Sequence, residues 1–146
     1  MDDKERAELV WQSVTQALSQ DSDAAATTLQ HIGINSDTHQ MYGVCCAFAE
    51  VGARALKKMF APAAFAGPSG YMYCLQELKP GGLGKDPADT FAARFVVAYA
   101  NKDRANTLAL FETALKASGT QYIESVCALL ATVTGLVMAT TDGDGS

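Results

Sequence analysis

The stretches QMYGVCCAFAE (residues 40–50) and QYIESVCALLA (residues 121–131) decide the fold that we predict from this sequence. Each begins with the Gln of a capping box, whose first residue is Asp37 in one case and Ser118 in the other. Apolar residues follow at helical spacing in both stretches. Two long helices with the same kind of start are therefore predicted.

Two shorter helices are predicted before each long one, because apolar residues recur there at helical spacing and strand signals are poor. Candidate N-cap residues mark several starts: Asp21 or Ser22 for the second helix, Asp86 for the fourth and Asp103 for the fifth. The third helix follows residues 35–41 and should end near residue 60, ahead of Pro62. The other predicted spans are 4–19, 24–32, 87–100, 104–117 and about 119–140.

The two sets of three helices match when one is laid on the other without a gap, which places Ser22 on Asp103 and the two capping boxes on each other. We therefore expect two pseudo-repeated three-helix halves, although two unrelated halves with similar helix signals would look alike. Either interpretation predicts an all-α, six-helix bundle that forms one domain over residues 1–146. Its parts are half 1 (4–61), an irregular connecting segment (62–85), half 2 (86–141) and a disordered acidic tail (142–146).

Composition and charge exclude several classes of protein. Of the 146 residues, 18% are charged and 49% are hydrophobic, which is typical of a globular domain rather than a disordered chain. The net charge is −5 and no basic run occurs, so nucleic acid is not an expected partner. The densest basic group, Arg54, Lys57 and Lys58, fits the C-terminal end of a helix.

The two ends of the chain bear on location. The polar N-terminus has no apolar core of a secretory signal, so we expect a cytoplasmic protein. The last helix carries no charge from residue 125 to residue 141, which is also the composition of a membrane anchor. We favour a central core helix that neighbouring helices or a second subunit bury on most faces. No membrane association is expected.

The cysteines do not have the spacing of a metal site, and no cofactor or metal is expected. Cys45 falls on the apolar stripe of the third helix and should fill space in the core. Cys46 and Cys127 occupy matching positions in the two halves, where a small side chain allows helices to approach. We predict that both are largely buried, unpaired and slow to react with a thiol reagent. Trp11 is expected to be an anchor in the core or in an interface.

The fourth helix is apolar on nearly all sides and contains one charged residue in its middle, Arg94. A buried arginine needs a partner, so Asp89, Glu50 or Glu124 is expected near it. A role for Arg94 in binding an anionic ligand is the alternative. Two helices apolar on most faces exceed what this short chain covers comfortably, which favours a homodimer.

The function favoured by the sequence is that of a non-catalytic cytosolic module for protein–protein interaction, such as an adaptor, regulator or assembly protein. Its partners would be a second copy and an unknown protein. The connecting segment is too apolar to be a solvated linker, so it packs on its own domain, docks on a second copy or a partner, or forms a flap over a ligand site. Docking is consistent with the enrichment of Tyr and Met at interfaces. The predicted partner-binding residues are Phe65, Tyr71, Met72 and Tyr73.

The alternative belongs to a different class: a helical bundle that binds a small molecule, or an enzyme, with a pocket between the two halves. No catalytic motif supports an enzyme, and no catalytic residue is assigned. The residues predicted to line this pocket are Tyr42, Cys46, Arg94, Tyr99 and Cys127.

Overall fold

The computed structural model describes residues 1–60, 87–117 and 119–145, and within these ranges the chain forms six α-helices and no strand. The all-α fold predicted from the sequence is therefore confirmed. The helices are α1 (Asp3–Leu18), α2 (Ser22–Ile34), α3 (Thr38–Phe60), α4 (Pro87–Ala100), α5 (Arg104–Lys116) and α6 (Gly119–Gly145).

Two turns of the same form connect α1 to α2 and α4 to α5. Asp21 and Asp103 are the N-caps of α2 and α5, and each side chain accepts a hydrogen bond of 3.2 Å from the backbone N–H three residues later. The residues before them, Gln20 and Lys102, have φ of 64° and 62°, in the left-handed region. Asp21, rather than Ser22, thus occupies the place of Asp103, so the gapless match of these caps was wrong by one residue.

The capping box predicted at the start of α3 is confirmed. The backbone N–H of Gln40 donates to Asp37 Oδ1 at 2.8 Å, and the backbone N–H of Asp37 donates to Gln40 Oε1 at 2.8 Å. These reciprocal bonds satisfy two N–H groups that a helix start leaves without an intrahelical partner. The matching box at Ser118 lies outside the residues whose side chains are described.

The core forms where α3 packs against α4 and α6. The predicted stripe of α3 is buried at Met41, Cys45, Phe48, Gly52 and Ala55. The lack of a side chain at position 52 brings the helices together: a Cβ there would lie 3.0 Å from a methyl group on α6 and 3.1 Å from one on α4. More than half of the residues of α4 are buried, in line with its apolar sequence: Ala88, Phe91, Ala92, Ala93, Phe95, Val96, Val97 and Ala98.

One face of α6 completes the core, with Val126, Leu129 and Val133 buried. The opposite face, which includes Ile123, is exposed to solvent. Neighbouring helices therefore bury one face of α6, whereas burial on most faces was predicted. By length and composition the stretch Tyr122–Thr140 is apolar enough to cross a membrane, with a mean hydropathy of 1.8, and the core helix of a soluble protein meets the same test.

Trp11 does not belong to the core, contrary to one of the two predicted roles, because 59% of it is exposed. The buried face of α1 contains Val10 and Val14, and the next residue along a helix turns about 100° away from such a face. Trp11 therefore points outward from α1, and a role as an interface anchor stays a prediction.

Candidate functional site

A groove of about 760 Å³ lies between α3, the C-terminal end of α4 and the first turn of α5. On α3 it is lined by Tyr42, Cys46, Glu50 and Arg54. These residues are four positions apart and so share one face of the helix. Because the buried stripe of α3 occupies the adjacent face, the core holds this row of polar side chains in position.

Tyr42 forms a rigid part of the groove floor. Its ring packs edge-on against Phe111 and Phe95, with centroid distances of 5.4 and 6.3 Å. Its hydroxyl lies 3.0 Å from Thr107 Oγ1, which itself donates to the carbonyl oxygen of Arg104 at 2.9 Å. Burial is the main reason that the pKa of Tyr42 is raised.

Glu50 joins α3 to α4 inside the groove. Arg54 Nε donates to Glu50 Oε1 at 3.1 Å, and the hydroxyl of Tyr99 also bonds to this carboxylate. These two bonds hold the pKa of Glu50 below its usual value. Burial, followed by the bond to Glu50, raises the pKa of Tyr99 to about 12. Tyr99 is therefore protonated at neutral pH and acts as the hydrogen-bond donor.

Cys46 lies on the same row as Tyr42 and Glu50 and is half-buried. Burial raises the pKa of its thiol, while a hydrogen bond with Tyr42 and the positive charge of Arg104 act in the opposite direction. The net shift is upward, so the thiol is protonated at neutral pH. A thiol in this state fills space and contacts ligands but is a poor nucleophile.

The groove is positively charged although the protein as a whole has a net charge of −5. Its two carboxylates are already engaged: Glu50 binds Arg54, and Asp103 caps α5 by bonding to a backbone N–H. The cationic side chains outnumber them and come from both walls. They are Arg54 and Lys57 on α3, Lys102 in the α4–α5 turn and Arg104 at the start of α5.

Three of the five residues predicted to line a pocket between the halves, Tyr42, Cys46 and Tyr99, do line this groove. Arg94 and Cys127 do not. The expectation that Arg94 is buried and paired was wrong, because Arg94 is exposed and forms no ion pair within the described ranges. The physical reason is that α4 has one narrow exposed strip, and its central charged residue occupies it.

The environments of the described cysteines were predicted only in part. Cys45 is fully buried, as expected, and burial raises the pKa of its thiol. Cys46 is half-buried rather than largely buried. The prediction for Cys127 was wrong, because it lies on the exposed face of α6. These three cysteines are unpaired.

The sequence analysis missed the charged residues of the groove. The four-residue spacing of Cys46, Glu50 and Arg54 was a signal for a polar row beside the apolar stripe of α3. Lys102 and Arg104 had no such signal, because only the packing of α4 and α5 against α3 brings them to this row.

Two other predictions concern parts of the chain that this site does not include. The proposed partner-binding residues Phe65, Tyr71, Met72 and Tyr73 lie outside the described residues. Within the described ranges, no group of three or more His, Cys, Asp or Glu side chains is placed to hold a metal ion.

No family model matches the chain, and no curated protein or solved structure matches it either.

Proposed function

We propose that this protein binds a small organic molecule in the groove between α3, α4 and α5. The observation that carries the proposal is that the groove combines a floor held by ring contacts and hydrogen bonds with a rim where Lys102 and Arg104 form no ion pair within the described ranges. Tyr42 is held by two aromatic neighbours and a hydrogen bond, and Tyr99 is held by Glu50. The volume of about 760 Å³ is in the range of small-molecule sites.

Binding without catalysis is the role that the chemistry of these side chains supports. Catalysis by proton transfer needs a group whose pKa lies near the working pH. The pKa values of Tyr42, Cys46 and Tyr99 are all raised, and that of Glu50 is lowered by its two hydrogen-bond donors. None of the four is poised to exchange a proton at neutral pH.

Blocking the groove tests this proposal. Ala53 lines the groove and is half-buried, so Ala53→Phe should fill the space from the α3 wall. Ala109→Phe is the matched control, because Ala109 is exposed on α5 and does not line the groove. Native mass spectrometry would detect a retained molecule, and ligand-observed NMR with a panel of small aromatic compounds would measure binding.

We expect the ligand to bind to the wild type and to the control variant Ala109→Phe. Ala53→Phe should lose binding. Circular dichroism should show the same helical content for all three proteins. If no compound binds the wild type, or if Ala53→Phe binds as tightly as the control, the groove is not the site and the proposal fails.

Self-association is a second candidate, in line with the interaction module expected from the sequence. It is favoured by an uncharged row on the outer face of α6, where Ile123, Cys127, Ala131 and Gly135 are exposed at four-residue spacing. A homodimer would bury this row. Light scattering should then give the mass of a dimer for the wild type and of a monomer for Ala131→Glu, with Ala109→Glu as control. A monomeric wild type would reject it.

We further propose that the two halves are repeats of one three-helix unit. The turns support this: Gln20 and Lys102 each donate to a carbonyl at 3.0 Å, and the Asp that follows donates to the carbonyl five residues before it. The buried positions support it as well. Pairs buried in both halves are Leu29 with Phe111, Ile32 with Ala114, Cys45 with Val126, Phe48 with Leu129, Gly52 with Val133 and Ala55 with Leu136.

A further inference from the structure

Positive side chains outnumber carboxylates in the groove, and this imbalance bears on which class of ligand it binds. Asp103 is engaged by a backbone N–H of α5, and Glu50 is engaged by Arg54. Lys102 and Arg104, in contrast, form no ion pair with the residues that the structure describes. A ligand with a negative charge would form ion pairs with these side chains that a neutral or cationic ligand would not form.

Arg104 is exposed and lines the groove together with Tyr42 and Cys46. Its positive charge acts on both Tyr42 and Cys46, where it opposes the effect of burial on their pKa values. The cation and the part of the floor formed by Tyr42 and Cys46 therefore belong to one site.

The N-terminus of α5 does not supply the charge recognition by itself. Helix starts bind anions through their free N–H groups, but the carboxylate of Asp103 already occupies this one. An anion in the groove would instead be held by the side chains on either side of Asp103, which are Lys102 and Arg104. Guanidinium groups suit this role because they bind carboxylate and phosphate oxygens through two parallel hydrogen bonds.

We propose that the ligand is a small organic anion, whose carboxylate or phosphate group lies against Arg104 and Lys102 and whose apolar part lies on Tyr42 and Cys46. This inference rests on the proposed function of the groove and names the class of its ligand. Carboxylates and phosphate esters share the required negative charge, and the experiment below separates them.

Three probes of similar size test the inference: phenyl phosphate, benzoate and the neutral benzyl alcohol. Each is titrated by NMR into the full-length wild type, Arg104→Gln and Arg94→Gln. Arg94 is the matched control, because it is also an exposed arginine without an ion pair in the described ranges but lies away from the groove. Ala53→Phe is included to report whether a probe occupies the groove at all.

At least one anion should bind more tightly than benzyl alcohol, and whichever anion binds more tightly identifies the headgroup. Arg104→Gln should weaken anion binding about three- to tenfold, and Arg94→Gln should leave it unchanged. High salt should weaken the binding of the anions and leave the binding of benzyl alcohol unchanged.

The inference is overturned if benzyl alcohol binds as tightly as both anions, or if Arg104→Gln and Arg94→Gln have the same anion affinity, while Ala53→Phe still blocks binding. In that case the groove remains a binding site for another class of ligand. If Ala53→Phe blocks nothing, the proposed function and this inference fail together.

Discussion

Replacing Gly52 by Ala should destabilise the protein, although alanine is the better helix former. The added Cβ would lie 3.0 Å from Val133 Cγ2 on α6 and 3.1 Å from Val96 Cγ1 on α4. Both valines are fully buried, and a β-branched side chain has few rotamers in a helix to which it can move. The helices themselves must therefore shift to accept the methyl group.

The magnitude follows from two opposing contributions. Removing glycine from a helix interior gains about 1 kcal/mol. Overpacking a filled core costs about 1–3 kcal/mol. Gly43→Ala on the same helix isolates the first contribution, because a Cβ at the exposed Gly43 meets nothing within 4 Å. The free energies of unfolding of the two variants should therefore differ by about 1–3 kcal/mol, with Gly52→Ala the less stable.

Urea denaturation followed by circular dichroism measures both variants on the same scale. The melting temperatures should rank the variants in the same order. A difference of 1 kcal/mol in the free energy of unfolding corresponds to about 2–4 °C for a chain slightly longer than this one. Gly135→Ala on α6 is a second control, because a Cβ there also meets nothing within 4 Å. If Gly52→Ala is as stable as Gly43→Ala, the three helices do not meet as closely as described.

Two further predictions address the cysteines and the turns. A thiol reagent at neutral pH should label Cys127 first, Cys46 more slowly and Cys45 only on unfolding, because the exposure of the three side chains falls in that order; peptide mapping by mass spectrometry would identify each site, and early labelling of Cys45 would contradict its burial. Gln20→Gly and Lys102→Gly should each raise the free energy of unfolding by about 1 kcal/mol, because glycine adopts the left-handed conformation without a steric penalty; a gain in only one of them would count against equivalent turns.

Local signals in the sequence predicted the helices well. The box formed by Asp37 and Gln40 depends only on residues three apart, and so does the cap formed by Asp103. The stripe that begins at Met41 is likewise a property of one helix, because helical periodicity alone places its members on one side. Such features are set by short-range chemistry and need no knowledge of what packs against them.

Features that depend on contacts between helices were predicted less well. Arg94 was expected inside because the residues around it are apolar, yet the exposed strip of α4 is determined by where α3 and α6 lie. Tyr42 and Tyr99 were assigned to one pocket and line the same groove, whereas the cations of its rim were not predicted. Arg104 lines the same groove as Cys46 only because α5 starts beside α3, and no spacing in the sequence contains that information.

The packing of α3 against α4 and α6 has a consequence for biosynthesis. Residues 1–60 leave the ribosome before α4 and α6 have emerged, and α3 packs far less against α1 than against those later helices. Its apolar side chains, Phe48 and Leu56 among them, therefore stay uncovered until the second half of the chain has been synthesised. During that interval the nascent chain exposes a surface of the kind that chaperones bind and that promotes aggregation.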